Sequence, residues 1–183
     1  YNITVNATAI SGSLSDVSTL YGNKAGDSDA DTDGFTGLGN EAITLTDTGS
    51  IEADTLLTVA QANSSGTVDA SNAGTITGTA EQIIDAYDDS TITEASDVAL
   101  TVNTANSGTA TLTQARSLDG LTTGVVTATI ADTALSDLLD DSTPLLDANG
   151  NNAFTITIGS GDASASAADL NTLNGLTTVD IDA

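Results

Sequence analysis

Residues 75–87 read TITGTAEQIIDAY, and this stretch contains both kinds of structural element that the chain uses. Thr75-Ile76-Thr77 alternates polar and apolar side chains, which predicts a strand with one apolar face. Thr79 and Gln82 are spaced as in a capping box, so a short helix should begin beside Thr79. The stretch therefore predicts a strand that leads directly into a short helix.

Other segments of the chain match this stretch and one another, so the same elements should recur. Internal repetition of this kind is the usual signature of a solenoid. The matched pairs are GTAEQIIDAY (78–87) with GSLSDVSTLY (12–21), DGLTTGVVTA (119–128) with NGLTTVDIDA (174–183), and LTVAQANSSGTVDAS from Leu57 with LTVNTANSGTATL from Leu100.

Further strands and helices follow from the same two patterns. Alternation predicts strands over residues 42–46, 125–130 and 154–158. Helices are predicted after three hydroxyl residues that precede apolar residues at helical spacing. These residues are Ser13, Ser96 and Ser166.

Units of strand, turn, short helix and turn, roughly 16–30 residues long, predict an α/β repeat solenoid. Its short parallel β-strands would alternate with short helices or turns in about seven coils. Residues 1–183 would form a single elongated solenoid domain, with insertions near 22–37 and 142–152. A globular α/β domain is the alternative, but five aromatic residues and short, Thr-rich strands suit a doubly buried sheet poorly.

Composition excludes several classes of function. The chain has 26 acidic and two basic residues, a net charge of −24, and neither Cys nor His. Catalysis by thiolate or imidazole, disulfides, and zinc, haem or iron–sulfur sites are excluded. The charge repels nucleic acid, and no apolar run reaches the roughly 18 residues of a membrane span. We expect no enzymatic activity, because the carboxylate pairs lack the clustered aromatic platforms of sugar-cleaving sites.

Four segments resemble the tandem repeat of Thr/Ala/Asp-rich giant secreted or cell-surface proteins of cyanobacteria and other aquatic bacteria. The resemblance is clearest over residues 37–90 and 165–183. It implies an extracellular, structural or adhesive role, often with calcium, and it implies no catalytic residue. The segments are GLGNEAITLTD (37–47), SSGTVDAS (64–71), TITGTAEQIIDAY (75–87) and AADLNTLNGLTT (167–178).

Residues 27–34, DSDADTDG, which we call the acidic insertion, are the main candidate for a Ca²⁺ site. Acids at alternate positions followed by glycine have the spacing of a calcium loop. With Asp29 at position one, position twelve falls on Asn40 and Glu41 lies beside it, so the match to a helix–loop–helix site is imperfect. A solvated acidic insertion explains the same residues equally well. The candidate ligands are Asp27, Asp29, Asp31, Asp33, Asn40 and Glu41.

Several weaker patterns leave alternatives open. DANGN (147–151) is a second cation candidate that an Asn-Gly turn also explains. Recurrent Thr-x-Thr would form flat ladders on a stacked sheet, as in ice-binding solenoids, although Thr also suits exposed strands. Lys24 could form an isopeptide cross-link with an acid. Glycosylation sequons begin at Asn2, Asn6 and Asn63.

The two ends of the sequence resemble the two halves of one repeat. TTVDIDA at the end and YNITVNATAISGSL at the beginning together restore roughly one unit of a stacked array. The chain also lacks an initiator Met and a leader, which predicts a mature or excised segment. We therefore expect a structural extracellular repeat protein whose copies join head to tail into a filament or surface fibre. The alternative is a calcium-dependent adhesin or an ice- or polysaccharide-binding module with a carbohydrate or cell-surface target.

Overall fold

The computed structural model describes residues 2–24, 34–103, 108–139, 151–158 and 164–179. Parallel strands alternate with helices and form three sheets, which confirms the α/β class. The strands are β1 (Asn2–Thr4), β2 (Ala9–Gly12), β3 (Gly34–Thr36), β4 (Ala42–Leu45), β5 (Ser50–Glu52), β6 (Thr67–Asp69), β7 (Thr75–Gly78), β8 (Ile92–Thr93), β9 (Ala99–Val102), β10 (Thr109–Ala110), β11 (Val126–Thr133) and β12 (Ala153–Ile158). The helices are α1 (Leu14–Gly22), α2 (Ala53–Ala62), α3 (Ala80–Asp88), α4 (Leu112–Leu121), α5 (Leu135–Leu138) and α6 (Ala167–Asn174).

The chain divides into two compact units. The first contains Tyr1–Thr75 and Asp85–Ala95, and the second contains Ile76–Ile84 and Ser96–Ala183. The single domain over 1–183, with insertions near 22–37 and 142–152, stays a prediction.

The core of the first unit lies along a four-stranded parallel sheet with the order β2-β4-β6-β8. Its register places Ile10 beside Ile43, Ile43 beside Val68 and Val68 beside Ile92. Alternate residues of a strand face the same side, so these apolar side chains form one row across the sheet. Ile43 and Val68, in the middle of that row, are 1% and 0% exposed. In a separate sheet, β1 pairs with β3 in parallel.

The second unit has a similar core built on β11. This strand pairs in parallel with β9, β10 and β12. Leu100 lies beside Val126 and Ala128 beside Phe154, and Leu100, Val126 and Phe154 are fully buried. Apolar side chains about one repeat apart in sequence therefore pack together on neighbouring strands.

Local hydrogen bonds decide where the helices begin. Thr79 N donates to Gln82 Oε1 at 2.9 Å and Gln82 N donates to Thr79 Oγ1 at 3.1 Å, which confirms the predicted capping box of α3. The hydroxyls of Ser13 and Ser166 accept from amides of the first turns of α1 and α6, as predicted. These starts were predictable because each cap is made by residues three positions apart.

The predicted helix after Ser96 is wrong. Residues 99–102 form strand β9, and Val98, Leu100 and Val102 are buried at period two. The alternation of apolar residues prevails there over the hydroxyl start signal. The match of Leu57 with Leu100 does not extend to structure either, because Leu57 lies in α2 and Leu100 in β9.

Candidate functional site

The chain segments before and after the acidic insertion are bonded to each other through their main chain. Lys24 and Phe35 form an isolated parallel bridge, and Phe35 N donates to Asn23 O at 2.9 Å. The structure thus places Lys24, three residues before the insertion, beside Phe35, the residue after it. The four candidate ligands within it lie outside the described residues and stay predictions; they are Asp27, Asp29, Asp31 and Asp33.

The other two candidate ligands, Asn40 and Glu41, differ in solvent exposure. Asn40 is exposed, whereas Glu41, just before β4, is 0% exposed. Glu41 Oε2 accepts hydrogen bonds from Tyr21 Oη at 2.6 Å, Gly39 N at 2.8 Å and Asn40 N at 3.1 Å. Glu41 Oε1 is buried without a hydrogen-bond partner. Among the described residues, no group of three acids could hold a metal ion.

These hydrogen bonds determine the charge of Glu41. Burial alone would raise the pKa of its carboxyl, but the bonds from Tyr21 and from the amides around Gly39 lower that pKa below its usual value. Burial, and then the bond to Glu41, raises the pKa of Tyr21. A neutral hydroxyl therefore donates to a charged carboxylate, in keeping with the 2.6 Å contact.

Asn63, which follows α2, completes a group that we call the junction cluster: Tyr21, Lys24, Glu41 and Asn63. Asn63 is 0% exposed, and its Nδ2 donates to Glu41 O at 2.9 Å. Its Oδ1 accepts from Glu41 N at 3.1 Å, and it lies 2.9 Å from Tyr21 Oη, whose single proton is donated to Glu41. The carboxamide thus bonds both main-chain groups of Glu41. Because this side chain is buried, a glycan cannot be attached to Asn63 in the folded chain.

Lys24, one of the two basic residues of the sequence, lies at the edge of this cluster. Its Nζ donates to Ala62 O at 3.2 Å, and Ala62 is the residue before Asn63. Gly39 has a φ of 132°, and a Cβ on Gly39 would lie 3.1 Å from Lys24 Nζ. A side chain at Gly39 would therefore be strained and would crowd the ammonium group.

The repeated Gly-Leu-Thr-Thr motif makes the same contact in both of its copies. Thr122 Oγ1 donates to Val98 O at 2.7 Å, and Thr177 Oγ1 donates to Phe154 O at 2.8 Å. Both threonines are buried, at 7% and 9% exposure. The repeated motif in the sequence thus makes repeated buried contacts. Each contact bonds the segment after a helix to main chain in, or directly before, an earlier strand.

Replacing Thr122 by Val should lower the free energy of unfolding by about 1 kcal/mol. Valine keeps the shape, but it leaves Val98 O and Gly124 N without the hydroxyl that bonds them. Urea unfolding of the variant measures the change. Thr127→Val, at an exposed position on β11, is the matched control and should change little. Equal losses in both variants would refute a special role for Thr122.

A second tyrosine–glutamate pair, Tyr87 and Glu94, was not found from the sequence. Tyr87 Oη and Glu94 Oε1 are both buried without a hydrogen-bond partner. Burial, and then the charge of Asp89, raises the pKa of Glu94 to about 7. The sequence match of Tyr87 with Tyr21 was the one signal that could have pointed to a second pair. It does not identify the acid, because Glu41 lies 20 residues after its tyrosine and Glu94 only seven.

Threonine side chains line the outer face of the second unit. Thr127 lies beside Thr101 across the β9–β11 pair, and Thr129 lies beside Thr109 and Thr155 on the other strands. Thr101, Thr127, Thr129 and Thr155 line a groove of about 390 Å³. Threonines thus lie side by side on neighbouring strands of the second unit, whereas in the first unit Thr44 lies beside Ser11 and Asp69.

No family model, curated protein or solved structure matches this chain. Among the described residues, no helix has the length and apolar character to cross a membrane. A functional proposal therefore depends on the contacts described above and on the sequence.

Proposed function

We propose that this chain is a structural segment of an extracellular repeat protein, an α/β solenoid of about seven coils whose copies join end to end into a filament or surface fibre. The observation that carries the proposal is the sequence separation between residues that pair on neighbouring strands. In the first unit, 25 residues separate Ile43 from Val68 and 24 separate Val68 from Ile92. In the second unit, 26 separate Leu100 from Val126. The separation is larger, 33 residues, between Ile10 and Ile43, and smaller, 20 residues, between Thr109 and Thr129. Pairing of segments one unit apart in sequence suits a solenoid with coils of unequal length, because each coil buries its apolar row against the next.

The buried polar residues also suit a structural role. Asn63, Thr122 and Thr177 use their side chains to bond main-chain groups of another strand segment. Such bonds hold neighbouring segments in register, because each donor and acceptor would be costly to bury unpaired. This is support for a mechanical function rather than for turnover of a substrate.

The extracellular location is proposed from the resemblance of residues 37–90 and 165–183 to repeats of giant surface proteins. The net charge of −24 would keep such a segment soluble, and divalent cations would reduce the repulsion between copies.

Strand β1 is the edge where we propose that another copy adds. Among the described residues β1 pairs with one strand, β3. Ile3 on β1 is 58% exposed, more than the other exposed large apolar residue of the described chain, Val125 at 39%. An open edge with an exposed apolar side chain is a template for strand addition.

Replacing Ile3 by Lys should therefore weaken assembly, because a charge on an edge strand opposes pairing. Sedimentation velocity over a concentration series should show wild type shifting to larger species and the variant remaining small. Val125→Lys, which places the same charge at another exposed apolar position, is the control and should assemble like wild type. Normal assembly of the Ile3 variant would remove β1 from the proposed contact.

The second candidate function is a calcium-dependent adhesin or an ice- or polysaccharide-binding module. The observation that favours it is the exposed threonine ladder, which pairs Thr127 with Thr101 and Thr129 with Thr155. Target binding that survives when Ile3→Lys blocks assembly would favour this candidate. Loss of target binding together with assembly would favour the structural proposal.

Calcium binding by the acidic insertion is testable by calorimetry. The double variant Asp29→Ala/Asp31→Ala should lose the heat of Ca²⁺ binding, because it removes two of the alternating carboxylates that a calcium loop needs. Glu81→Ala/Asp88→Ala removes two exposed charges of α3 and should bind as wild type does. Equal binding in all three proteins would remove the insertion from the candidate site.

A further inference from the structure

The outward face of the sheet around β11 carries no charge. Val126 and Ala128 are buried, so the residues that alternate with them, Val125, Thr127 and Thr129, lie on the opposite side of the sheet. We call this surface the threonine face. Its residues on β9, β11 and β12, all of them uncharged, are Thr101, Val125, Thr127, Thr129, Ala153 and Thr155.

The outward face of the four-stranded sheet in the first unit differs, because it carries an acid. There Thr44 lies beside Asp69, and Asp69 lies beside Thr93. The chain has 26 acidic residues among 183, so a sheet face without an acid is a local exception to the charge of the chain.

The threonine face offers both methyl groups and hydroxyls. Val125 is 39% exposed and is one of the two exposed large apolar residues of the described chain. Thr127 and Thr155 are exposed, and their hydroxyls bond no other part of the described chain. The hydroxyls of Thr122 and Thr177, in contrast, bond main-chain carbonyls. A ligand that carries hydroxyl groups on an apolar ring would use both kinds of contact.

A groove crosses this face where β9 ends and β10 begins. Its described lining includes Val102, the last residue of β9, Gly108, just before β10, and Ala128 on β11, and none of the described lining residues is charged. Its volume of about 390 Å³ lies in the range of about 300–1,000 Å³ that is usual for ligand sites. A concave site of this size suits part of a chain molecule better than the flat surface of an ice crystal.

Charge selects among the ligands that would lie on this face. The net charge of −24 repels anionic polymers, and a cationic polymer would be attracted to the acidic residues elsewhere on the chain. A second copy would bring another charge of −24 against the first, whereas an uncharged polymer brings none. The charge distribution therefore favours an uncharged polymer.

We propose that the threonine face binds an uncharged, extended polysaccharide. The hydroxyls of the sugar units bond Thr101, Thr127 and Thr155, and their C–H groups pack on Val125. None of the six residues of the face is aromatic, so each sugar contributes little and affinity comes from many contacts along the polymer. This inference names the target class of the second candidate function and rests on it, but it depends neither on end-to-end assembly nor on calcium.

Pelleting of insoluble cellulose tests this binding with the whole chain. The protein should be depleted from the supernatant, relative to a cellulose-free sample that corrects for self-association. Binding should not weaken in EDTA or at high salt, because neither a cation nor a charge pair takes part. Soluble hydroxyethylcellulose, which is uncharged, should compete, whereas carboxymethylcellulose, which has the same backbone with anionic groups, should not.

Replacing Thr127 by Lys should weaken binding by about tenfold or more, because lysine would fill the groove and its charge would lose water against an uncharged chain. Thr44→Lys places the same charge on the exposed sheet face of the first unit and should bind like wild type. Val125→Lys should bind weakly and still assemble, whereas Ile3→Lys should bind and not assemble. The binding and assembly proposals can therefore fail separately. Circular dichroism checks that each variant is folded.

Three results would overturn the proposal. The first is equal binding by wild type, Thr127→Lys and Val125→Lys, since the polymer would then lie elsewhere. The second is loss of binding in EDTA, which would place the polymer at a cation site. The third is no depletion by cellulose, whether or not the chain lowers the freezing point of ice.

Discussion

Replacing Asn63 by Ala should lower the free energy of unfolding by about 3–5 kcal/mol, a change at the upper end for a single substitution. The alanine would leave Glu41 N and Glu41 O buried without their side-chain partner. It would also remove the amide oxygen that lies 2.9 Å from the Tyr21 hydroxyl, so the cluster around the charged Glu41 would lose much of its order. Each buried polar group without a partner costs about 1–3 kcal/mol, and these costs fall on one cluster.

Equilibrium unfolding in urea, followed by circular dichroism, measures this loss. Asn40→Ala is the matched control, because Asn40 is exposed and its contact with Glu41 is made by the main-chain amide, which alanine retains. The control should change the free energy of unfolding by no more than about 0.5 kcal/mol. If Asn63→Ala lowered the free energy of unfolding as little as the control does, the junction cluster would not be a major source of stability.

Raising the pH from 5 to 8 should destabilise the fold through Glu94. The pKa of Glu94 is raised to about 7 in the folded chain, so the folded state holds a proton that the unfolded state releases at lower pH. The stabilisation is therefore complete below the unfolded pKa and is lost as the pH rises through about 7. Since Glu94 is only partly buried, we expect about 2 kcal/mol rather than the value for full burial. The charge of Asp89 acts on Glu94, and Glu94 in turn helps to raise the pKa of Tyr87.

Urea unfolding at pH 5, 6, 7 and 8 tests this dependence. Glu94→Gln should match wild type at pH 5 and exceed its stability at pH 8, because glutamine stays neutral. Repulsion among the many other acids also changes with pH, so the difference between the two proteins isolates Glu94. Glu81→Gln, at an exposed position, should keep the wild-type slope. Parallel curves for wild type and Glu94→Gln would contradict the assignment.

The parts of the fold that the sequence predicted well are those decided by near neighbours. The capping box of Thr79 and Gln82 spans three residues, and the strand over 75–77 follows from side chains that alternate directly. The Ser96 helix failed because a hydroxyl start signal and a period-two pattern overlap there, and packing of Leu100 favours the strand. Local signals cannot rank two such alternatives.

The candidate site was only partly predictable, for a different reason. Glu41 was expected as a calcium ligand beside the acidic insertion, and the structure places it in a buried network with Tyr21 and Asn63. These partners lie 20 and 22 residues away in sequence. Only the stacking of strands and helices brings them together, so no local spacing could have identified the cluster.

Electron microscopy of the purified chain in calcium-containing buffer tests the central claim most directly. An α/β solenoid whose copies join end to end should form narrow filaments or elongated particles of constant width, and their length should increase with protein concentration. Compact, monodisperse particles at every concentration would contradict the claim.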